Sequence, residues 1–166
     1  MFPFKKTFPT PKEHTPWVNS CDFIIIHHTW TKEWTINGVL DGLYRRDDFA
    51  SCHFVVDINL DSYKIGNPTD ILWHAWVSSW GWISDLNKYS MGIEIIWPLS
   101  NGWFTKEQKK VVSELIGHLM ASFNIPAERV LRHRDIAPKR KVDVADSFFM
   151  IKSWEDYQKT LISKAI

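Results

Sequence analysis

The sequence predicts a single α/β domain, and three observations indicate it. The chain has 166 residues, 45% hydrophobic and 23% charged, so it is long and apolar enough to form one core. The apolar and mostly β-branched run Phe23–Ile26 is typical of a strand that is buried on both faces. Residues 105–123 carry apolar side chains at the spacing of one helical face. Strands and helices around one core define the α/β class.

The first 20 residues are expected to form an extended arm ahead of the main domain at residues 21–166. This arm contains four of the eight prolines, and proline both fixes φ and lacks a backbone N–H, so no long helix fits here. The first strand follows at Phe23–Ile26 and ends at His27 and His28. Both histidines are therefore expected at the carboxyl end of that strand.

The next segment is expected to fold as a helix, a hairpin and a loop. Thr35 can cap a helix whose apolar positions follow the i, i+3, i+4, i+7 pattern up to Tyr44. Phe54–Val56 and Tyr63–Ile65 flank a turn-rich stretch and predict a hairpin. Residues 66–90 are rich in Ser, Gly and Trp and predict a long irregular loop, which is often functional in a compact domain.

One strand and two helices complete the predicted fold. Met91–Trp97 reads as a strand that stops at Pro98. Thr105–Gln108 has the pattern of a capping box and opens the long amphipathic helix. A last helix is expected at residues 151–163.

The charge balance excludes several classes of partner. With 20 Lys and Arg against 19 Asp and Glu, the net charge of +1 provides no basic field for nucleic acid or anionic lipid.

No apolar stretch approaches the ~20 residues of a membrane span, and no export signal is evident at the N-terminus, so we expect synthesis in the cytoplasm. Two cysteines, Cys21 and Cys52, are too few for a disulfide scaffold and are expected to be buried as small apolar residues.

Three features suggest chemistry rather than packing. His27 and His28 end an apolar strand, and neighbouring strand residues point to opposite faces, so one of them can face a cleft. His133 and Asp143 flank a polar segment whose imidazole and carboxylate groups are ligands that zinc accepts. Glu94 lies within an apolar strand, where an unpaired carboxylate is costly. Taken alone, each pattern also fits a structural histidine, a solvated loop or an ion pair.

A series of short motifs identifies the chain as resembling a known family. The motifs are Ile25–Thr29, Ser51–Asp57, Trp73–Ala75, Ser79–Trp80, Asn87, Ser90–Glu94, His133–Pro138 and Lys141–Asp143. In this order they resemble the zinc-dependent N-acetylmuramoyl-L-alanine amidases, a family that includes amidase-type phage lysozymes, cell-wall recycling amidases and peptidoglycan recognition proteins. The resemblance extends over residues 22–143.

The resemblance implies a central mixed β-sheet flanked by helices, and residues 21–166 are then a zinc amidase catalytic domain. One Zn²⁺ per chain is implied, held by His27, His133 and Asp143. Asp146 lies close enough to Asp143 to be a rival third ligand. The chain departs from the family where many members continue with Pro-Gly, since Val144 and the residues after it stand there, and this departure bears on the local geometry of Asp143.

The resemblance also implies the catalytic groups. Glu94 matches the residue that activates water in some members, and Lys141 matches a lysine that stabilises the oxyanion. Other members use a tyrosine at the position of Cys52, so that route is closed here.

Four residues are expected to contact the substrate. Trp76 stands where many members have glycine, and Trp80 belongs to the same tryptophan-rich segment; both could stack on sugar or peptide, or simply pack over the sheet. His74 and His28 are counted with them, although His74, like His53, matches a framework position of the family.

The implied activity is hydrolysis of the amide between the lactyl group of N-acetylmuramic acid and L-alanine, in peptidoglycan or muropeptides, by a monomer. The alternative is a non-catalytic peptidoglycan-binding module of the same fold. An unrelated zinc peptidase lacks support, because the chain has no His-Glu-x-x-His segment. A phage endolysin acting on the cell wall after release, a recycling enzyme acting on cytoplasmic muropeptides and an antibacterial toxin all remain open; we favour a bacteriolytic amidase.

Overall fold

The computed structural model describes residues 2–11, 14–29, 35–45, 50–97, 104–145 and 152–162. It contains eight strands and four α-helices in these residues. The strands are β1 (Lys6–Thr7), β2 (Phe23–His28), β3 (Phe54–Val56), β4 (Ser62–Lys64), β5 (Ser79–Trp80), β6 (Ile83–Ser84), β7 (Ser90–Ile95) and β8 (Val130–Arg132). The helices are α1 (Ile36–Arg45), α2 (Lys106–Phe123), α3 (His133–Ile136) and α4 (Trp154–Ile162).

Six strands form one mixed sheet in the order β1-β4-β3-β7-β2-β8, and β5 pairs with β6 in a separate hairpin. Only β3 and β4 pair antiparallel within the six-stranded sheet; its other neighbours are parallel. The carboxyl ends of β7, β2 and β8 therefore lie side by side. This edge of a parallel sheet is where α/β proteins commonly bind ligands.

Helices cover both faces of the sheet. Ile24 and Ile26 of β2 pack in the same core cluster as the apolar side chains of α2 and α4. On the opposite face, Val39 and Leu40 of α1 pack with Val55 of β3. Because side chains alternate along a strand, His27 shares a face with Ile25 and points away from α2. The α/β class and the mixed sheet flanked by helices are thus confirmed.

The structure differs from the sequence prediction at the N-terminal segment and in the loop. Lys6–Thr7, within the expected arm, pairs with β4 and adds a strand to the sheet edge. Residues 66–90 are not irregular throughout, because they contain the β5–β6 hairpin and a 3₁₀ turn at Leu86–Lys88. Gly81 has φ 56° and so permits the tight turn between β5 and β6.

The structure also shows where the long helix α2 and the last helix α4 begin, compared with the positions that the sequence predicts. Thr105 accepts a hydrogen bond from the Gln108 backbone N–H at 3.0 Å and caps α2, as predicted. The reciprocal half of the capping box does not form, since the Gln108 side chain instead donates to the Ile96 carbonyl at 2.8 Å. The last helix begins at Trp154 rather than at residue 151, and residues 151 and 163 lie outside the described ranges.

Cys21 and Cys52 are both buried and unpaired, as expected. Within the described part of the chain, no helix combines the length and hydropathy that a membrane crossing requires.

Candidate metal and active site

A pocket opens at the carboxyl ends of β7, β2 and β8, and it contains most of the predicted site residues. Strand register explains the placement: His27 of β2 lies beside Glu94 of β7, and Ile26 lies beside Arg132, so His133 follows next to His27. Asp143 and Lys141, from the loop after α3, line the same pocket. Residues more than 100 positions apart in the sequence are thereby brought together.

Three buried donor atoms converge at the floor of this pocket. Nδ1 of His27 lies 2.9 Å from Nδ1 of His133, which lies 3.1 Å from Oδ2 of Asp143. The third edge, from His27 Nδ1 to Asp143 Oδ2, is 3.6 Å. Two imidazole nitrogens and one carboxylate oxygen thus form a triangle of potential metal ligands.

The triangle fits a zinc ion. Zinc bonds of 2.0–2.1 Å in tetrahedral geometry separate neighbouring donors by about 3.3 Å. The observed edges of 2.9, 3.1 and 3.6 Å bracket that value. Three protein donors also leave the fourth position free, as in catalytic zinc sites. The rival ligand Asp146 lies outside the described residues.

The surroundings of His27 and Asp143 favour the protonation states in which these side chains bind a metal ion. Burial is the main cause that lowers the pKa of His27 to about 4; the neighbouring His133 adds to this effect, and the charge of Asp143 opposes it. Burial alone would raise the pKa of Asp143, but the hydrogen bond that it accepts from His133 at 3.1 Å opposes this, and its pKa lies below its ordinary value. A neutral imidazole and an ionised carboxylate are the forms that bind metal ions.

Glu94 faces the same pocket without a partner. Its Oε2 is buried and has no hydrogen-bond partner among the described residues. Burial raises the pKa of Glu94 to about 8; the charge of Asp143 adds to the rise and Lys141 opposes it. A carboxyl group with a pKa near neutrality is suited to accept and release a proton.

The tryptophans that were expected to contact substrate are placed differently from each other. Trp76 lines the pocket and is 46% exposed, at a backbone φ of 49°. Arg140 holds this segment by donating to the Ala75 and Val77 carbonyls at 3.2 and 2.9 Å. Trp80, 42% exposed on β5, does not belong to the described lining of the pocket.

The two remaining histidines both reach the pocket wall. His28 is buried, and its ring lies 5.0 Å from the Trp97 ring on the α2 side of the sheet. His74 lies behind His27, with its Nδ1 3.1 Å from His27 Nε2. Neither residue belongs to the donor triangle.

Sequence reasoning missed two contributors to the site. One is the wall that α1 provides through Val39, Gly42 and Leu43. A glycine within an otherwise amphipathic helix was the available signal, since it lowers helix stability without an evident local reason. The other is Arg140, for which the sequence offered no signal beyond its position next to Lys141.

The fold and the donor triangle define an α/β domain with a candidate metal site at the carboxyl edge of its sheet. The model of the N-acetylmuramoyl-L-alanine amidase family matches residues 17–146, so the chain belongs to that family.

Two curated relatives carry this activity in their names. The 1,6-anhydro-N-acetylmuramyl-L-alanine amidase AmpD of Haemophilus influenzae is 32% identical over 109 residues, which are 65% of this chain and 56% of AmpD. The N-acetylmuramoyl-L-alanine amidase AmiD of Escherichia coli is 32% identical over 136 residues, covering 68% of this chain and 49% of AmiD. The chain spans about half the length of the curated relatives it matches.

Solved structures share the fold. A crystal structure of a selenomethionine AmpD derivative superimposes with a TM-score of 0.79 at 18% identity, covering 97% of this chain and 96% of that chain. AmiD of E. coli, in complex with the substrate anhydro-N-acetylmuramic acid-L-Ala-D-γ-Glu-L-Lys, gives a TM-score of 0.68 at 26% identity, covering 95% of this chain and 61% of that chain.

Proposed function

We propose that this chain is a zinc-dependent amidase that hydrolyses the bond between the lactyl group of N-acetylmuramic acid and L-alanine. The observation that carries the proposal is the buried triangle of His27, His133 and Asp143, which opens onto a pocket shared with Glu94 and Lys141. Two named amidases among the relatives support the reaction, and the muropeptide bound to AmiD supports the substrate class.

The three donors would hold one Zn²⁺, which would supply a Lewis acid and lower the pKa of a bound water to ~7. The rest of the chemistry belongs to side chains of this chain. Glu94, with its buried and unpartnered Oε2, takes the proton from the attacking water. It then returns that proton to the amine of L-alanine as the amide bond breaks.

Lys141 would stabilise the negative charge that develops on the carbonyl oxygen. It lines the pocket two residues before the ligand Asp143, so its ammonium group can approach the reacting carbonyl without occupying a ligand position. A fixed positive charge at a site that excludes water lowers the energy of the tetrahedral intermediate strongly.

The walls of the pocket would position the substrate. Trp76 offers an aromatic face to a sugar ring or the stem peptide, and Arg140 fixes the backbone on either side of it. His28 and His74 contribute the wall behind the reacting bond. Trp80 would contact only a substrate that extends past the pocket.

Mass spectrometry of a purified N-acetylmuramoyl-peptide tests the proposed reaction. We expect the zinc-loaded protein to release a peptide with a free L-alanine amino group and the chelator-treated protein to release none. Restoration of cleavage by added Zn²⁺ controls for damage by the chelator. Retention of the ligand without cleavage would instead favour the binding-module alternative.

The two tryptophans are expected to respond differently to substrate size. Trp76→Ala should raise KM about tenfold for both a soluble muropeptide and intact peptidoglycan, because the apolar contact of a large side chain with a ligand is worth about 1.5 kcal/mol or more when it is buried, and 1.4 kcal/mol is about tenfold in binding. Trp80→Ala should raise KM only for intact peptidoglycan. Steady-state kinetics on both substrates measures this, with Trp17→Ala, an exposed tryptophan outside the described pocket lining, as the control. Equal effects of Trp80→Ala on both substrates would contradict the assignment.

A further inference from the structure

His74 occupies an unusual position between a candidate metal ligand and the sheet. Its buried ring meets the His27 ring edge-on, with centroids 5.2 Å apart and an interplanar angle of 83°. The shortest polar contact, 3.1 Å, joins His74 Nδ1 to His27 Nε2, the ring nitrogen that faces away from the donor triangle. The other nitrogen, His27 Nδ1, belongs to the triangle.

The surroundings of His74 decide which of its nitrogens carries the proton. Nε2 lies 3.3 Å from the Ser90 carbonyl oxygen, which can only accept. Ser90 Oγ, also 3.3 Å away, donates its own proton to the Leu86 carbonyl and can only accept from the ring as well. Nε2 of His74 must therefore be the N–H. No carboxylate is hydrogen-bonded to this ring among the described residues, so the buried ring is neutral and Nδ1 is an acceptor.

That tautomer fixes the tautomer of His27. An acceptor at His74 Nδ1 requires a donor at 3.1 Å, and this donor is His27 Nε2–H. A neutral His27 with its proton on Nε2 presents the lone pair of Nδ1 to the triangle. With the opposite tautomer, the proton would lie on the atom that should bind the metal.

Gly92 provides the space that His74 needs. A Cβ atom at position 92 would lie 2.5 Å from Cγ and 2.7 Å from Nδ1 of the His74 ring, both impossible contacts. The ring therefore rests on the bare backbone of β7. His53 supports this floor, because its Nδ1 accepts from the Gly92 N–H at 2.9 Å while its Nε2 donates to the Asp70 carbonyl at 3.0 Å.

We propose that His74, seated on Gly92, is a positioning residue that holds His27 in the tautomer and orientation required for metal binding. The inference rests on the proposed metal site but concerns residues that do not belong to the donor triangle. Partners that fix a metal-bound histidine typically change metal affinity by about 10–100-fold when removed.

Zinc affinity, measured by competition with a chromogenic chelator, tests the proposal without any substrate. We expect Gly92→Ala and His74→Leu each to weaken zinc binding by about 10–100-fold. His74→Asn should lose less, because its side-chain oxygen can accept from His27 Nε2–H at the place of Nδ1. Equal affinity of wild type and both disruptive variants would overturn the proposal.

Gly66→Ala is the matched control. A Cβ at this buried glycine would lie 2.6 Å from Cδ1 of Leu72, so the variant also crowds the core but does not touch His74. We expect it to lower thermal stability and leave zinc affinity unchanged. If Gly66→Ala lost as much zinc affinity as Gly92→Ala, the loss in Gly92→Ala would be explained by general destabilisation of the fold. That result would overturn the inference.

The tautomer itself can be read from the imidazole ¹⁵N shifts of the metal-free protein. We expect His27 to carry its proton on Nε2 in the wild type and to populate both tautomers in His74→Leu. A proton on Nδ1 in the wild type would overturn the inference even if zinc binds. Failure of the wild type to bind zinc would overturn the proposed metal site instead, while the ¹⁵N shifts still test the contact between His74 and His27.

Discussion

Replacement of Lys141 by alanine is expected to lower kcat by about 10²–10³-fold, the usual cost of losing one oxyanion-stabilising group. Zinc binding should persist, because the triangle consists of His27, His133 and Asp143 and uses no atom of Lys141. KM should change little, since the charge that Lys141 stabilises exists only after water has attacked the carbonyl. Steady-state kinetics together with zinc stoichiometry measure both effects.

Lys139→Ala is the matched control for this variant. Lys139 is exposed in the same loop and is not part of the described pocket lining, so its removal deletes the same charge outside the site. We expect kcat within about twofold of wild type for Lys139→Ala. Near-normal turnover of Lys141→Ala would show that the oxyanion is stabilised by another group, and loss of zinc would reveal a structural role for Lys141.

The row of site residues at the sheet edge could be predicted in part from the sequence. Apolar runs located β2 and β7, and a polar residue at the end of such a run, as with His27, or within it, as with Glu94, suggests a side chain that faces a cleft. Parallel pairing then makes His27 and Glu94 direct neighbours. The assignment of both residues to one site came from the resemblance to the amidase family, because the pairing of β2 with β7 is not encoded in the local pattern of either strand.

The elements that the sequence did not predict are short or depend on tertiary contacts. β8 has three residues and β1 has two, which is too few for a hydrophobic period to be measured. Asp143 follows α3 in a loop with no period, so spacing alone left Asp146 as a rival. The structure brings Asp143 into the triangle with His27 and His133 through geometry that no local pattern encodes, whereas Asp146 lies outside the described residues.

His74 illustrates the same limit more sharply. Its segment was expected to be irregular, and its ring has a place only because Gly92, 18 positions later, lacks a side chain. The fit between the two residues is a property of packed tertiary structure. A glycine within an apolar strand was the available signal, because it often marks close approach by another group.

Replacement of Glu94 by glutamine is expected to remove activity and stabilise the metal-free protein at the same time. An amide of nearly the same shape cannot accept the proton of the attacking water, so kcat should fall by about 10²–10⁴-fold. The neutral amide also avoids the cost of an ionised carboxylate whose Oε2 is buried without a partner among the described residues.

The stability effect has a definite sign with pH. Burial raises the folded-state pKa of Glu94 to about 8 from its ordinary value of 4.5, so the folded protein binds this proton more tightly than the unfolded chain does. Below about pH 4.5 both states are protonated and the carboxyl has no effect on stability through its charge. As the pH rises from about 4.5 to about 8, the carboxyl ionises in the unfolded chain but stays protonated in the folded protein, so stability falls by at most about 1.4 kcal/mol for each pH unit. The advantage of Glu94→Gln should grow across that window and then level off.

Urea unfolding of the metal-free proteins at pH 5, 6.5 and 8 measures this difference, with Glu128→Gln as an exposed control that should show no such trend. Zinc affinity of Glu94→Gln should stay near that of wild type, because Glu94 is not part of the triangle. A constant difference in unfolding free energy across the three pH values would mean that Glu94 is solvated or paired in solution. Loss of turnover combined with a pH-dependent gain in stability is the result that only a buried catalytic carboxylate explains, since a structural carboxylate stabilised by a partner would lose stability on the same change.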